Sequence, residues 1–129
     1  MYEIEIYENK DGNAPIADFI DELNTKANTS KLHRVRLKKI SEYLELLKAY
    51  GTRAGLPSTR HIEDDIWELR PMKDRILFAY WKDNKFLLLH HFVKKTQKTP
   101  QREIDQAKWN MEDFLERSKQ YGCQDKKMG

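Results

Sequence analysis

The stretch Phe86 to Val93, reading FLLLHHFV, most constrains what this chain can fold into. A strand with one face in water alternates apolar and polar residues, and this run does not alternate. Apart from its two histidines it is apolar throughout, so it reads as a central strand covered on both faces. It is far too short to span a bilayer, and so is the longest unbroken apolar run, Ile76 to Trp81, since a crossing helix needs roughly 20 residues. The strand must therefore lie in a sheet, and the rest of the chain must supply what covers it.

Tyr2 to Tyr7 (YEIEIY) alternates apolar and acidic residues and predicts a half-buried strand. Asn9 to Asn13 is turn chemistry, and Pro15 stands where a helix begins. Ile16, Phe19, Ile20 and Leu23 recur at helical spacing, predicting a helix from about Pro15 to Ala27. Asn28 to Ser30 breaks it and offers capping hydroxyls for a second helix. The stripe Leu37, Ile40, Leu44 and Leu47 carries that helix to about Tyr50, where Gly51 stops it. Gly51 to His61, with two glycines and Pro57, reads as a loop. Trp67 to Trp81 reads as two strands joined by a turn at Pro71 to Asp74, and Lys82 to Lys85 is a second turn leading into FLLLHHFV. Thr99 and Pro100 supply a capping hydroxyl and a first-turn proline for a last helix, with Ile104, Ala107, Met111, Phe114 and Leu115 as its buried stripe. The expected architecture is α+β: an N-terminal strand, two helices, a three-strand antiparallel meander and a C-terminal helix, with the helices packed on one sheet. A single domain is expected over residues 1–119, and the polar residues 120–129 are expected to form a disordered tail.

Charge is abundant but nearly balanced, 24 Lys and Arg against 21 Asp and Glu, so its distribution matters more than its sum. The lone Cys123 excludes an internal disulfide and a cysteine-based zinc cage. Acids occupy the first residues where a signal peptide carries cations, so the expected location is the cytoplasm.

The sharpest local signal is basic. Lys94, Lys95, Lys98 and Arg102 follow the apolar strand within nine residues that hold no acid. Clustered cations at a strand end repel one another unless an anion lies between them, and a phosphate backbone is the obvious anion. A solvated basic loop is the alternative. Arg70 and Arg75 flank the turn Pro71 to Asp74 and so lie close across a hairpin, where like charges cost up to about 1 kcal/mol. Either an anion site explains them, or one of Glu63, Asp64, Asp65, Glu68 and Asp74 pairs with them. His90 and His91 are adjacent in a strand and point to opposite faces, so they do not share one site. No metal-ligand spacing joins them to His33 or His61, so no metal and no cofactor are expected. Spacing shows no carboxylate–histidine pair for proton transfer.

Three stretches together resemble a known family: WELR (Trp67 to Arg70), DRILFAYW (Asp74 to Trp81) and LLLHHFVKKTQKTP (Leu87 to Pro100). They resemble the phage-derived HigB-type branch of the RelE/ParE toxin superfamily, and the order of elements matches from Tyr2 to about Ser118. The resemblance implies a RelE-like fold, ribosome-dependent cleavage of mRNA, and silencing by a HigA-like helix-turn-helix antitoxin in a hetero-oligomer. By motif position it implies catalytic roles for Arg75, Lys95 and Arg70. His91 is a further candidate acid or base, and Lys94, Lys98 and Arg102 are candidate RNA contacts. Two features depart from RelE itself. Its paired lysines before the equivalent of Arg70 are replaced by Ile66 and Glu68, and Ile104 stands near the place of its C-terminal tyrosine. ParE-like members share the fold and act on gyrase without cutting RNA, and a degenerate member would only bind its antitoxin, so fold alone does not decide function.

Overall fold

The two apolar strands of the meander set the architecture. In the computed structural model, which describes residues 1–55 and 57–128, with side chains through residue 119, β4 (Asp74–Tyr80) and β5 (Lys85–Val93) form the longest antiparallel pair of the sheet. Ile76 to Ala79 and Phe86 to Leu89 are all at most 2% exposed, so both faces of this pair are covered, as the lack of alternation requires. Beside β4 lie β3 (Ile66–Leu69) and then β2 (Thr59–Glu63), both antiparallel. On the other side β1 (Glu3–Ile6) adds in parallel to β5, completing a five-stranded sheet of order β1-β5-β4-β3-β2.

The meander has one strand more than expected. β2 begins inside the segment predicted as a loop and runs two residues past it; Thr59-Arg60-His61-Ile62-Glu63 carries one aliphatic residue, and its glycine- and proline-bearing approach masks it. It is an edge strand, and an edge strand needs little apolar patterning to pair.

The helices divide between the two faces of the sheet. α1 (Pro15–Lys26) and α2 (Lys31–Tyr50) cover one face, where Ile16, Leu23, Ile40 and Leu47 meet Leu69, Ile76, Phe78, Phe86 and Leu88. α3 (Gln101–Met128) covers the other, where Ala107 meets Leu77, Ala79, Leu87 and Leu89, with Met111 and Phe114 packed alongside. The Ser30 side chain caps α2 at the His33 amide, as expected. α2 ends at Gly51, whose φ of +61° and ψ of −146° suit only glycine. A Cβ there would also lie 2.8 Å from the Tyr2 ring. A short 3-10 turn, Gly51–Ala54, follows. α3 begins at Gln101 behind Pro100, but Thr99 does not cap it: its hydroxyl donates to Glu68 at 2.6 Å. The tail expected over residues 120–129 falls on side chains outside the described residues. Among those described, no helix is long and apolar enough to cross a membrane.

Strand register fixes where the charged residues point. Between β4 and β5 the pairing steps from Leu77↔His90 to Phe78↔Leu88, leaving Leu89 as a bulge. Leu89 packs in the cluster with Ala107, while His90 still reaches α3. His91, opposite Ile76, turns to the α1 side and stacks on Phe19 with centroids 3.7 Å apart.

Candidate anion-binding cleft

A cleft of about 700 Å3 opens where β3, β4 and β5 end beside the start of α3. Arg70 enters from the end of β3, Arg75 from the start of β4, and Lys94, Lys95, Lys98 and Arg102 from the β5–α3 connection and the first turn of α3. All six basic residues singled out in the sequence line this one cleft. A sheet end and a helix start rigidly support the loop that carries most of them.

At the bottom of the cleft lies Glu68, 1% exposed. Its Oε1 is 3.4 Å from Arg60 Nη2, 3.4 Å from Arg70 Nε and 3.9 Å from Arg75 Nε. Its Oε2 accepts the Thr99 hydroxyl, and Arg60 Nη2 also donates to Thr99 Oγ1 at 3.3 Å. The pairing alternative for Arg70 and Arg75 thus holds in part: Glu68 is their partner, yet one carboxylate faces three guanidinium groups. The ion-pair distances are long and Nε of both Arg60 and Arg70 lacks a hydrogen-bond partner, so donor capacity remains. Lys94, Lys95, Lys98 and Arg102 form no ion pair among the described residues. The cleft carries a net positive charge that an oxyanion would neutralise.

Arg75 differs from its neighbours. It is 6% exposed, and its Nη1 donates to the carbonyls of Met72 at 2.7 Å and Asp74 at 2.8 Å. Met72 has a φ of +57°, so Arg75 ties down a turn held in a left-handed conformation. Burial holds its guanidinium below the usual arginine value; Glu68 pulls the other way, and the positive Arg70 and Arg60 push it further down. Although it flanks a turn, Arg75 is a buried part of the fold.

His91 does not line the cleft. It lies on the opposite face, where its Nε2 is 2.9 Å from Oδ1 of Asp74, a carboxylate also gripped by Arg36 at 2.7 and 3.1 Å. Burial pushes the Asp74 carboxyl up, but the hydrogen bonds from His91 and Arg36 and the Arg36 charge outweigh it and leave the group below its ordinary value. The two histidines bond on opposite faces of the sheet, although both border one groove beside β5, and it is His90 that faces α3. Its Nε2 is 2.8 Å from Oε1 of Glu103, a residue that does line the cleft. Two carboxylate–histidine pairs therefore exist where spacing showed none, since each joins residues from different elements.

Sequence reasoning also missed Arg60 and the central place of Glu68. With β2 recognised, the signal is available: Arg60 is paired directly with Glu68 across the two strands. Among the described residues, no group of three or more His, Cys, Asp or Glu side chains could hold a metal ion.

No curated protein matches this chain. A family model described as Phage derived protein Gp49-like (DUF891) matches residues 18–112, a span from α1 through the cleft and into α3. That family is associated with RelE-type and other toxin-like proteins, which agrees with the α+β fold and the cationic cleft. The chain belongs to the family of Gp49-like phage-derived proteins.

Proposed function

We propose that the protein is the toxin of a type II toxin–antitoxin pair, a HigB-type endonuclease that cuts mRNA on the ribosome. The observation that carries this reading is the convergence of Arg70, Arg75, Lys94, Lys95, Lys98 and Arg102 on one cleft around an outnumbered carboxylate. RNA brings its own nucleophile, the 2′-hydroxyl. A nuclease has to align that oxygen with the phosphorus, take its proton and stabilise the added negative charge of the transition state. Preorganised cations in a partly dry site supply the last of these, often the largest single contribution. Arg70 and Arg75 clamp the scissile phosphate, with Arg75 rigid through its two carbonyl contacts. Lys95, exposed at the rim, donates a proton to the leaving oxygen. Lys94, Lys98 and Arg102 hold the flanking backbone. The ribosome positions the message, which offsets the loss of RelE's paired lysines. A HigA-like helix-turn-helix antitoxin covers the basic rim and silences the enzyme.

The test is mapping of 5′ ends on a message in a purified translation system, with and without ribosomes. Cuts inside codons that need ribosomes support the proposal. Intact message with arrested gyrase would favour the ParE-like alternative, and efficient cutting of naked RNA would leave a general nuclease.

A further inference from the structure

Cations alone leave the 2′-hydroxyl proton without an acceptor. Arginine does not deprotonate in proteins, and a lysine must first lose its own proton before it can take another. Among the described residues lining the cleft, two carry carboxylates, Glu68 and Glu103. Glu68 is fully engaged: three guanidinium groups approach its Oε1, and its Oε2 holds the Thr99 hydroxyl. Glu103 is different. It sits in the first turn of α3, its side chain is 20% exposed, and only its Oε1 is bonded, to His90 Nε2 at 2.8 Å. Its Oε2 has no hydrogen-bond or ion-pair partner among the described residues and belongs to a residue on the cleft wall. A carboxylate oriented by a histidine, with one oxygen free beside a cationic cleft, has the arrangement of a general base with its positioning partner.

We infer that Glu103 is the general base of the cleft and that His90 positions it; this rests on the nuclease reading above. In the reaction, Glu103 Oε2 takes the proton of the 2′-hydroxyl as that oxygen bonds to phosphorus. The bond from phosphorus to the 5′-oxygen breaks, and the leaving oxygen takes a proton from the Lys95 ammonium. The products are a 2′,3′-cyclic phosphate and a free 5′-hydroxyl. Glu103 then returns its proton to solvent and Lys95 regains one, so nothing is consumed but the RNA bond.

The cleft groups sharing its wall with Glu103 are Glu68, Arg70, Arg75, Lys94, Lys95, Lys98 and Arg102, an excess of positive charge. Behind it, His90 borders a second groove with Tyr7, Lys10, Asp11, His91 and Asp113.

The experiment is single-turnover cleavage of a ribosome-bound message, with thermal melts of the same samples. Glu103→Gln keeps the shape and an acceptor for His90, and is expected to cut at least about 100-fold more slowly at an unchanged Tm. His90→Phe removes the donor that orients the carboxylate and is expected to slow the cut about 10- to 100-fold. His90→Gln restores a donor and recovers most of the rate. If wild type cuts and Glu103→Gln cuts at a similar or faster rate, Glu103 only trims the charge of the cleft and the inference is wrong. It is equally wrong if His90→Phe and His90→Gln slow the cut by the same amount. If wild type itself leaves the message intact, the nuclease reading fails first.

Discussion

Each face of the sheet buries one carboxylate among cations, and the two are put to opposite use. On the α1 and α2 face, Asp74 (2% exposed) meets Arg36 through two short hydrogen bonds and His91 through a third. Charge balances, geometry is good, and nothing is left to offer a ligand. On the α3 face, Glu68 meets three arginines at 3.4 to 3.9 Å, with four more cations at the rim. Charge is in excess there and donors are unspent. The lesson is that a basic cluster is a lock or a site according to stoichiometry and hydrogen-bond saturation, which residue type alone does not reveal.

The largest expected effect breaks the lock. Asp74→Asn leaves the Arg36 charge uncompensated beside a buried amide and is expected to cost about 3–5 kcal/mol in denaturant unfolding. Added phosphate should not restore it, since Arg36 and His91 lie outside the cationic cleft. The depressed Asp74 carboxyl also gives this pair a pH signature. A carboxyl whose folded value lies below its unfolded one stabilises fully above the unfolded value, about pH 4, and that stability is lost as pH falls through the folded value. Wild-type stability should therefore decline below about pH 4, and Asp74→Asn should flatten the decline.

Glu68→Gln sharpens the contrast. Removing the one negative charge leaves three guanidinium groups repelling, with an expected cost of about 2–3 kcal/mol. Here millimolar phosphate should raise the Tm again, because an anion can stand in for the lost carboxylate. Equal phosphate response in Glu68→Gln and Asp74→Asn would dissolve the distinction between the two faces. Arg75→Ala, which loses two buried charge-assisted hydrogen bonds, is expected to cost about 2–3 kcal/mol, making it a poor probe of function. The smallest effect is at the turn it braces: Met72→Gly relieves a positive φ and should stabilise by about 0.5–1 kcal/mol in the same melts.

Much of this was legible in the sequence because it rests on local periodicity. The unalternating FLLLHHFV run, the Leu37 to Leu47 stripe and the Gly51 stop each report burial or backbone geometry directly, and the structure repeats them. The basic residues that line the cleft were legible as a cluster because four of the six lie within two residues of a strand end. What stayed hidden depends on register between distant elements. Asp74 with His91, Glu103 with His90 and Glu68 with Arg60 each join two elements, and no spacing rule finds such pairs. The burial of Arg75 was hidden for the same reason: a turn residue is exposed by default, and its carbonyl contacts exist only once the turn has closed.

The central claim, that the open cationic face does the chemistry, is tested most directly at Arg70. Its side chain is 23% exposed and makes no short contact, so Arg70→Ala should change stability by no more than about 0.5 kcal/mol. The measurement is single-turnover cleavage of a ribosome-bound message by this variant. The expected result is a loss of at least about 100-fold at an unchanged Tm, since a phosphate clamp acts on the transition state and not on the fold. Wild-type cleavage by a stably folded Arg70→Ala would contradict it and leave the cleft as solvated surface.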